Sequence, residues 1–377
     1  MRILILNYEF PPVGGGGGRA SADLGRALAR RGHELRILTS SAPGLPRSSS
    51  FDGLDVIRLF TGRRSRTRAS LPVMLAYVVA AGAAGIAHVR SWKPDVLHAH
   101  FAVPTGLAAW AIHRVVRVPY LLTVHLGDVP GGVPEKTGGW FRWVQPWTPP
   151  IWKAAARVVA VSEHTRRLAR QAYDVPIEVI PNGVDLERWE PRLLQVARPP
   201  RLIFAGRFQP QKNVVGLVES LARLRDLEWS CALVGDGPQR RQVEGAIRER
   251  GLSGRIELPG WLDSAEVDRR LMESDVLVLP SRSEGLPVVG VQALAAGLAI
   301  VGTRAGGLAE LIEDGVNGRI SDPADLDAFT QGLRWCLEDQ DRLLGLRRAS
   351  LRKAAAYDLR STADAYERLF AEIIAGP

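Results

Sequence analysis

The chain has 377 residues, a length that predicts two domains of ordinary size. Hydrophobic residues make up 46% and charged residues 24%, as in globular proteins, so the composition excludes a mainly disordered chain. The formal net charge of +9 is concentrated in residues 1–190, which hold 24 Lys and Arg against 14 Asp and Glu, and this favours an anionic partner for that half.

Short apolar runs alternate with longer helical patterns along the chain. Most runs are continuous in Val, Ile and Leu, which is typical of strands buried on both faces of a parallel sheet. Candidate strands are Arg2–Asn7, His33–Thr39, Asp55–Phe60, Asp95–Ala99, Pro119–His125, Arg157–Val161, Glu178–Ile180, Arg201–Ala205, Ser230–Val234, Arg255–Leu258, Asp275–Leu279, Ala299–Val301 and Gly318–Ile320. Two successive sets of strand–helix units predict two doubly wound α/β domains.

The break between the two sets has the composition of a linker. Residues 187–200 are charged and rich in proline, so we expect domains at 1–186 and 201–358. A last helical stretch in residues 359–377 follows with no further strand, and its own pattern leaves open which domain it packs on.

The segment from Leu71 to Val89 is almost free of charge and about long enough to span a bilayer. It is rich in Ala and Gly, which contribute little transfer energy, so a membrane span is not expected. We expect a helix packed inside a domain, either fully or with one face near a membrane. The two cysteines, Cys231 and Cys336, are too few for a disulfide framework. They predict two buried thiols and a cytoplasmic protein.

A glycine run, Gly14 to Gly18, separates the first strand from a helix expected from about Ala20. Exposed backbone N–H groups and a helix N-terminus attract phosphate, so Gly15, Gly16 and Gly17 predict a loop that faces a phosphate or a sugar. A merely mobile loop is the alternative. A dinucleotide site is disfavoured because the second strand ends without a carboxylate, and a Walker loop lacks its Lys-Ser/Thr.

Histidines follow two strands of the first domain. His98 lies near the end of the fourth predicted strand and His100 directly follows it, whereas His125 ends the fifth, with Asp128 on the same loop. Such side chains can bond sugar hydroxyls or transfer protons. His125 is the strongest candidate; we expect strand alternation to turn one of His98 and His100 toward solvent.

In the second domain, Gly206 and Arg207 follow a strand, with Lys212 and Asn213 on the same loop. A guanidinium and an ammonium five residues apart can converge on one diphosphate, although two solvated surface cations are the alternative.

Three more strand ends carry glycine-rich turns. These are Gly235-Asp236-Gly237, then Glu284-Gly285-Leu286-Pro287 at the start of a helix, and finally Gly306-Gly307. Free N–H groups at that helix start suit phosphate, which leaves Glu284 to accept bonds from hydroxyls.

Two sequence features of the first half each have more than one interpretation. The stretch from Arg63 to Arg68 is either a solvated loop or an attachment to anionic lipid; nucleic acid is not expected, because no binding motif accompanies it. The cluster Trp140, Trp143, Trp147 and Trp152 either packs a long loop or forms an acceptor or membrane-interface surface.

The ordered set of loops is similar to that of the GT-B glycosyltransferases, specifically the retaining glycosyltransferase family 4. The resemblance covers nearly the whole chain. It rests on the glycine run, the loop at 125–128, Pro181-Asn-Gly-Val-Asp185, Gly206-Arg207 with Lys212-Asn213, Gly235-Asp-Gly237, and Glu284-Gly-Leu-Pro with Gly306-Gly307. It implies two Rossmann-like domains facing across a cleft, with the acceptor on the first, a nucleotide-diphosphate sugar on the second, and the terminal helix crossing back to the first.

The same resemblance implies roles for single residues. Arg207 and Lys212 hold the diphosphate, Glu284 contacts the hydroxyls of the donor sugar, and His125 lies beside the transferred sugar. The base rests against backbone near Leu258 and Gly260. The other residues that the resemblance assigns to donor binding are Gly206, Asn213, Gly235, Asp236, Gly237, Gly285, Leu286 and Gln292. No metal and no cofactor are expected, because the two cations stabilise the leaving phosphate.

One position departs from the family pattern. The family has a second Glu eight residues after Glu284, where it binds ribose, and here that residue is Gln292. Since hydrogen bonds to charged groups are the stronger ones, we expect donor affinity about tenfold lower but activity retained.

The sequence therefore predicts a transferase that moves a sugar from a nucleotide donor to a glycan or lipid-linked acceptor, in cell-envelope or exopolysaccharide synthesis, on the inner face of the membrane. Two alternatives remain: a nucleotide-sugar epimerase on the same fold, and a protein that binds the nucleotide sugar without chemistry.

Overall fold

The computed structural model describes residues 1–65, 69–133, 139, 141–189 and 194–376. The chain forms two compact units, as predicted. The first unit comprises Met1–Gly183 and Leu359–Pro377, and the second unit comprises Val184–Asp358. The stretch predicted as a linker, 187–200, falls within the second unit rather than between domains.

The first unit contains an eight-stranded sheet in the order β3-β4-β2-β1-β5-β6-β7-β8. The strands are β1 Arg2–Leu6, β2 Glu34–Ser40, β3 Ser48–Phe51, β4 Leu54–Leu59, β5 Val96–His100, β6 Tyr120–Val124, β7 Arg157–Ala160 and β8 Glu178–Val179. All pairs are parallel except β3 with β4. The helices are α1 Gly16–Arg30, α2 Leu71–Trp92, α3 Leu107–Val116, α4 Phe141–Val144, α5 Pro149–Lys153, α6 Glu163–Ala172 and the last helix of the chain, α14 Leu359–Ala375.

Helix α2 contains the apolar, almost uncharged segment from Leu71 to Val89. It is long and apolar enough to cross a membrane by length and composition. Its inner face nevertheless packs in the first unit, where Tyr77 donates to the Leu38 carbonyl. A Cβ on Gly85 would lie 2.3 Å from Ile112 of α3, so glycine lets the two helices touch. One face of α2 is therefore packed in the first unit, as expected, whereas its other face is exposed.

The opposite face of this sheet is covered by α1 and α14. Tyr366 and Phe370 of α14 are buried in the core of that face. At its edge, Glu367 accepts from Arg31 over 2.8 Å and lies 2.8 Å from the His33 ring. The last helix of the chain thus belongs to the first unit.

The second unit contains a six-stranded parallel sheet in the order β11-β10-β9-β12-β13-β14. Its strands are β9 Arg201–Ala205, β10 Ser230–Val234, β11 Ile256–Gly260, β12 Val276–Leu279, β13 Ala299–Thr303 and β14 Gly318–Ser321. Its helices are α7 Val214–Ala222, α8 Arg240–Glu249, α9 Ser264–Met272, α10 Val288–Ala295, α11 Leu308–Leu311, α12 Leu326–Leu337 and α13 Gln340–Ala354.

A buried ion pair ties the start of the second unit to its core. Arg347 of α13 pairs with Asp275, which also accepts from the backbone N–H of Arg201 over 2.8 Å. Burial raises the pKa of the Asp275 carboxyl and lowers the pKa of Arg347. Cys231 and Cys336 are free and buried, as predicted, and burial raises the pKa of the Cys336 thiol to about 12.

Candidate functional site

Each sheet has one place where consecutive connections turn in opposite directions. In the second unit it lies between β9 and β12, which are neighbours although two strands separate them in sequence. In the first unit it lies between β1 and β5. Ligands of open α/β sheets bind beyond the carboxyl ends of the strands at such points. The residues that follow these four strands are therefore the candidates.

In the second unit, this point brings Lys212 and Glu284 together. The Lys212 ammonium donates to Glu284 Oε1 over 2.5 Å, and Ser281 donates to the same oxygen over 2.6 Å. Glu284 is buried, whereas the Lys212 side chain keeps about a fifth of its surface exposed. The carboxylate is thus fixed by two donors beside an accessible cation.

Backbone bonds hold the two loops that carry this pair. Arg282 donates to the Gln211 carbonyl over 2.7 Å, and the Gln211 side chain donates to the Ser283 carbonyl over 3.1 Å. Gly307, after β13, donates to the carbonyl of Glu284 over 3.1 Å. Three strand ends are therefore locked to one another around the ion pair.

Arg207 precedes Lys212 on the same loop and is partly exposed. The next residue, Phe208, is buried and donates its N–H to the Asp236 carbonyl over 2.9 Å, which ties this loop to the one after β10. Asn213 has φ 51°, the left-handed conformation, directly before α7.

The predicted donor-binding glycines lie where backbones meet. A Cβ on Gly235 would lie 1.9 Å from the Gly206 carbonyl oxygen, and one on Gly237 would lie 2.4 Å from that of Phe208. Gly235 donates to the Gly260 carbonyl over 2.8 Å, which brings the end of β11 to the same edge. The glycines permit this close packing, and their backbone is the surface left for a ligand.

Three other predicted donor residues differ in exposure. Leu258 is partly exposed at the end of β11, next to Gly260. Gly285 is partly exposed, whereas Leu286 is buried.

Gln292, in place of the family Glu, has a partner that was not predicted from the sequence. Its amide donates to Asp268 Oδ1 of α9 over 3.1 Å, and Arg188 lies 3.5 Å from the other oxygen of that carboxylate. Both Gln292 and Asp268 are buried. No sequence signal marks Asp268, because it lies on an ordinary amphipathic helix and only the packing of α9 on α10 brings it there.

In the first unit, α1 begins at Gly16 rather than at Ala20. The expected loop is therefore shorter: Gly16 and Gly17 form the first turn of the helix, and Gly15 is its N-cap without a side-chain bond. A Cβ on Gly17 would lie 2.6 Å from Phe101 and 3.4 Å from His125. Glycine thus lets the helix start lie directly against these rings, with its backbone N–H groups at the carboxyl end of β1.

The expectation that one of His98 and His100 turns toward solvent is wrong. Residues i and i+2 of a strand lie on the same face. Accordingly both histidines are buried, with ring centroids 4.2 Å apart, and the His100 and His125 rings stack at 6.0 Å. Burial lowers the pKa of His98 to about 3 and holds the pKa of His100 well below its usual value. Both imidazoles are neutral at pH 7.

The three histidines differ in their bonds. His98 Nε2 lies 2.9 Å from the hydroxyl of Thr123, which in turn lies 3.0 Å from the hydroxyl of Tyr366. His100 has no hydrogen-bond partner within the described residues at either ring nitrogen. The His125 backbone N–H donates to the buried Asp128 carboxylate over 2.9 Å, which fixes the loop after β6.

Arg63 is not part of a solvated basic loop. Its side chain is fully buried, donates to the Tyr8 carbonyl over 3.2 Å and lies 3.7 Å from Glu9. Arg64 is exposed, and Arg66, Thr67 and Arg68 lie outside the described residues. The interpretation as a surface stretch thus fails for its first residue, because that guanidinium anchors the chain after β1.

The tryptophan cluster divides into packed and exposed members. Trp152 is buried and stacks on Tyr173 with centroids 3.9 Å apart. Trp143 and Trp147 are exposed, and Trp140 lies outside the described residues. Among the described residues, no three His, Cys, Asp or Glu side chains form a metal-binding group.

Solved structures share this fold. Sucrose-phosphate synthase from Thermosynechococcus elongatus is 22% identical, with a TM-score of 0.86 and 99% of each chain covered. Anabaena HepE, solved in complex with UDP and glucose, is 19% identical, with a TM-score of 0.79, 98% of this chain and 99% of that chain covered. The structure is therefore of the GT-B type.

Two family models match nearly the whole length between them. Glycosyltransferase Family 4 matches residues 14–188 and Glycosyl transferases group 1 matches residues 186–356. The chain belongs to the family 4, group 1 glycosyltransferases, which confirms the resemblance found in the sequence.

Characterised relatives cover most of the chain as well. Glycogen synthase of Mycobacterium tuberculosis is 28% identical over 97% of this chain and 91% of its own. The 2-deoxystreptamine glucosyltransferase of Streptomyces kanamyceticus is 28% identical over 86% of this chain and 90% of its own.

Proposed function

We propose that this glycosyltransferase moves a hexose from a nucleotide-diphosphate sugar to a hydroxyl of a glycan or lipid-linked acceptor in envelope or exopolysaccharide synthesis, with retention and without a metal. The observation that carries the proposal is the pair of Lys212 and Glu284 between β9 and β12. It sets a cation and a fixed acceptor side by side where open sheets bind nucleotides.

The donor end of the reaction needs positive charge as the leaving diphosphate forms. Lys212 and Arg207, on one loop, supply that charge, and their preorganisation lowers the barrier most where water is excluded. Glu284, held by Lys212 and Ser281, is oriented to accept bonds from hydroxyls of the transferred sugar. Cations in this position also do what a metal does in other transferases, which supports a metal-independent reaction.

The histidines of the first unit are suited to bind the acceptor. A neutral imidazole donates at one nitrogen and accepts at the other, as hydroxyl ligands require. The buried His100 nitrogens, which have no partner among the described residues, are suited to such a ligand. His125, Gly17 and Phe101 form the surface beside them.

Relatives indicate which donor to test first. HepE was solved with UDP-glucose, and the Streptomyces relative is a glucosyltransferase. We therefore start from UDP-glucose within a panel of nucleotide sugars. A bound donor at 100 times its Kd stabilises the folded state by about 2.7 kcal/mol, so thermal unfolding identifies it.

The decisive test compares charge variants with that donor. Lys212→Met and Arg207→Ala should each lower the rate of nucleotide release by about 100-fold or more, as for other preorganised donors to a developing charge. Lys212→Arg should recover little of the lost rate, because the planar guanidinium of arginine does not replace the compact ammonium of lysine in this geometry. The matched control is Arg248→Ala, on the exposed end of α8, which should leave the rate unchanged.

Three results would contradict the proposal. Unchanged turnover in both Lys212→Met and Arg207→Ala would remove the proposed donor site. Conversion of the donor sugar to its epimer without any acceptor would show an epimerase. Donor that stabilises the protein but releases no nucleotide with any acceptor would show a binding protein.

A further inference from the structure

Exposed apolar side chains are concentrated in the first unit. Of ten large hydrophobic residues that are exposed among the described residues, eight belong to it. They are Phe60, Leu71, Leu75, Val79, Val115, Trp143, Trp147 and Ile374. Single exposed apolar residues are ordinary, but contiguous ones indicate an interaction surface.

Three of them form a stripe on α2. Leu71, Leu75 and Val79 recur every four residues and are 40%, 63% and 73% exposed. Ala83 and Ala87 continue the same face toward the helix end. Side chains four apart lie on one side of a helix, so the outer side of α2 is apolar over most of its length.

The exposed indoles belong to the same layer of helices. Helix α3 packs against α2 and also against α5, and α5 contacts the turn that holds Trp147. Trp143 is on α4, just before that turn. The α2 stripe and the two tryptophans thus flank α3 on one face of the sheet. We call Leu71, Leu75, Val79, Trp143 and Trp147 the apolar face.

The apolar face lies in a stretch of chain that has few carboxylates. Between Asp55 and Glu163 the sequence contains only Asp95, Asp128 and Glu135. Asp128 is buried, and Asp95 precedes β5, at the other end of the sheet from the loops that follow the strands.

Cations, by contrast, border the apolar face. Arg64 before α2 and Arg142 beside Trp143 are exposed. Over the whole first unit, 25 Lys and Arg stand against 14 Asp and Glu, whereas the second unit has 24 against 26. The two units therefore differ in charge as well as in exposed apolar surface.

We propose that the apolar face docks the first unit on an anionic lipid surface, with α2 lying in the plane of the interface. Indoles and guanidinium groups favour the headgroup region, and the aliphatic stripe reaches the acyl boundary. The inner face of α2 is part of the protein core, which favours a helix that lies on the membrane over one that crosses it.

A second copy of the chain is a poorer occupant of the apolar face. A symmetric dimer through it would place two carboxylate-poor, arginine-bordered surfaces against each other, and like charges there oppose association. Anionic lipid complements both the apolar stripe and the charge. The inference does not depend on sugar transfer, since Leu71, Leu75 and Val79 lie outside the donor and acceptor candidates.

Sedimentation with vesicles tests it. The full chain should sediment with vesicles that contain phosphatidylglycerol at low salt, bind pure phosphatidylcholine weakly, and bind the anionic vesicles less at high salt. The double variant Leu75→Gln/Val79→Gln should lower the partition coefficient by at least about tenfold, because two apolar side chains are lost from the interface. Ile374→Gln, on α14 at the opposite face of the sheet, is the matched control and should bind as wild type does.

Three outcomes would overturn the proposal. Wild-type protein that stays in solution with anionic vesicles at low salt shows that the face does not bind lipid. Equal partition of the double variant and Ile374→Gln shows that charge alone carries binding. Light scattering that shows a dimer of the wild type, which the double variant abolishes, assigns the face to a second copy. Thermal unfolding of the variants verifies that they are folded, as their exposed positions lead us to expect.

Discussion

Gln292 Nε2 donates to Asp268 Oδ1 over 3.1 Å, and both side chains are buried. The family pattern has a glutamate at 292, but here an amide occupies that position and a carboxylate lies beside it on α9. The negative charge is therefore displaced by one side chain rather than lost. Arg188, 3.5 Å from the second oxygen of Asp268, stabilises the carboxylate in this place.

Gln292→Glu, which restores the family residue, should therefore destabilise the second unit. It exchanges a hydrogen bond for two buried carboxylates in contact, at a cost of about 1–3 kcal/mol at pH 8. The folded variant should take up a proton more readily than the unfolded chain. The stability of the variant is then lost as the pH rises and recovered as the pH falls toward 5. Thermal unfolding at pH 8 and at pH 5 measures this difference.

The control for this prediction is Gln242→Glu, an exposed glutamine on α8 of the same unit, which should show no such pH dependence. The double variant Gln292→Glu/Asp268→Asn should regain stability at pH 8, because it restores one carboxylate and one amide. A Gln292→Glu variant as stable as wild type at pH 8 would show that the amide bond to Asp268 contributes nothing.

The buried histidines give the first unit a stability that depends on pH. The pKa of His98 is about 3 and that of His100 is also lowered, whereas both are near 6.5 in an unfolded chain. Well above pH 6.5 neither the folded nor the unfolded state is protonated at these histidines, and their full contribution to stability is present. Below it the unfolded chain takes up protons first, so His98 should cost about 2 kcal/mol at pH 5 relative to pH 7, and His100 should add a cost of the same sign.

Denaturant unfolding between pH 5 and 7.5 measures this slope. This slope is proportional to the number of protons taken up on unfolding. His100→Gln should lower that number by about one, because an amide does not titrate in this range. Ile112→Val, which removes one methylene from the same unit, should lower stability by about 1 kcal/mol and leave the slope as in wild type. An unaltered slope in His100→Gln would mean that His100 is protonated in the folded protein.

The strands were predictable because almost all are short buried apolar runs, a pattern that parallel sheets impose. All thirteen predicted strands are present, with ends shifted by at most two residues. The one missed in the described residues, β3, is a polar serine run that pairs only at the sheet edge. Its signal was the turn at Asp52 and Gly53, which have φ 51° and 82° and form the two-residue Asp-Gly connection of a hairpin.

The candidate site was predictable in composition but not in contacts. Loops after strands were expected to carry function, and the Lys212 and Glu284 loops do lie on adjacent strands. Their ion pair depends on the order of strands in the sheet, which no local pattern encodes. Asp268 could not be predicted as a partner of Gln292 for the same reason, since their contact depends on the packing of α9 on α10. The burial of both His98 and His100 is a different case, because the period of two along a strand already places residues i and i+2 on one face.

Gly17 allows α1 to begin against Phe101, so substitution there should be costly. Gly17→Ala places a Cβ 2.6 Å from an aromatic ring that the fold holds in place. We expect a loss of about 1–3 kcal/mol from overpacking and a raised KM for the acceptor. The matched control is Gly345→Ala on α13, where no atom lies within 4 Å, and it should stabilise by about 0.5–1 kcal/mol because alanine favours helix. Wild-type stability and kinetics in Gly17→Ala would contradict the contact.

The last helix joins the first unit although 175 residues of the second unit precede it. Phe370 of α14 is fully buried among residues of α1 and the sheet, so Phe370→Ala should cost about 3–5 kcal/mol in that unit alone. Differential scanning calorimetry with a nucleotide that binds the second unit separates the two unfolding transitions, because a ligand raises the unfolding temperature only of the unit that binds it. The control Phe329→Ala, at a buried phenylalanine of α12 in the second unit, should lower the other transition. If Phe370→Ala lowered the ligand-sensitive transition and left the other in place, the helix would act on the second unit instead.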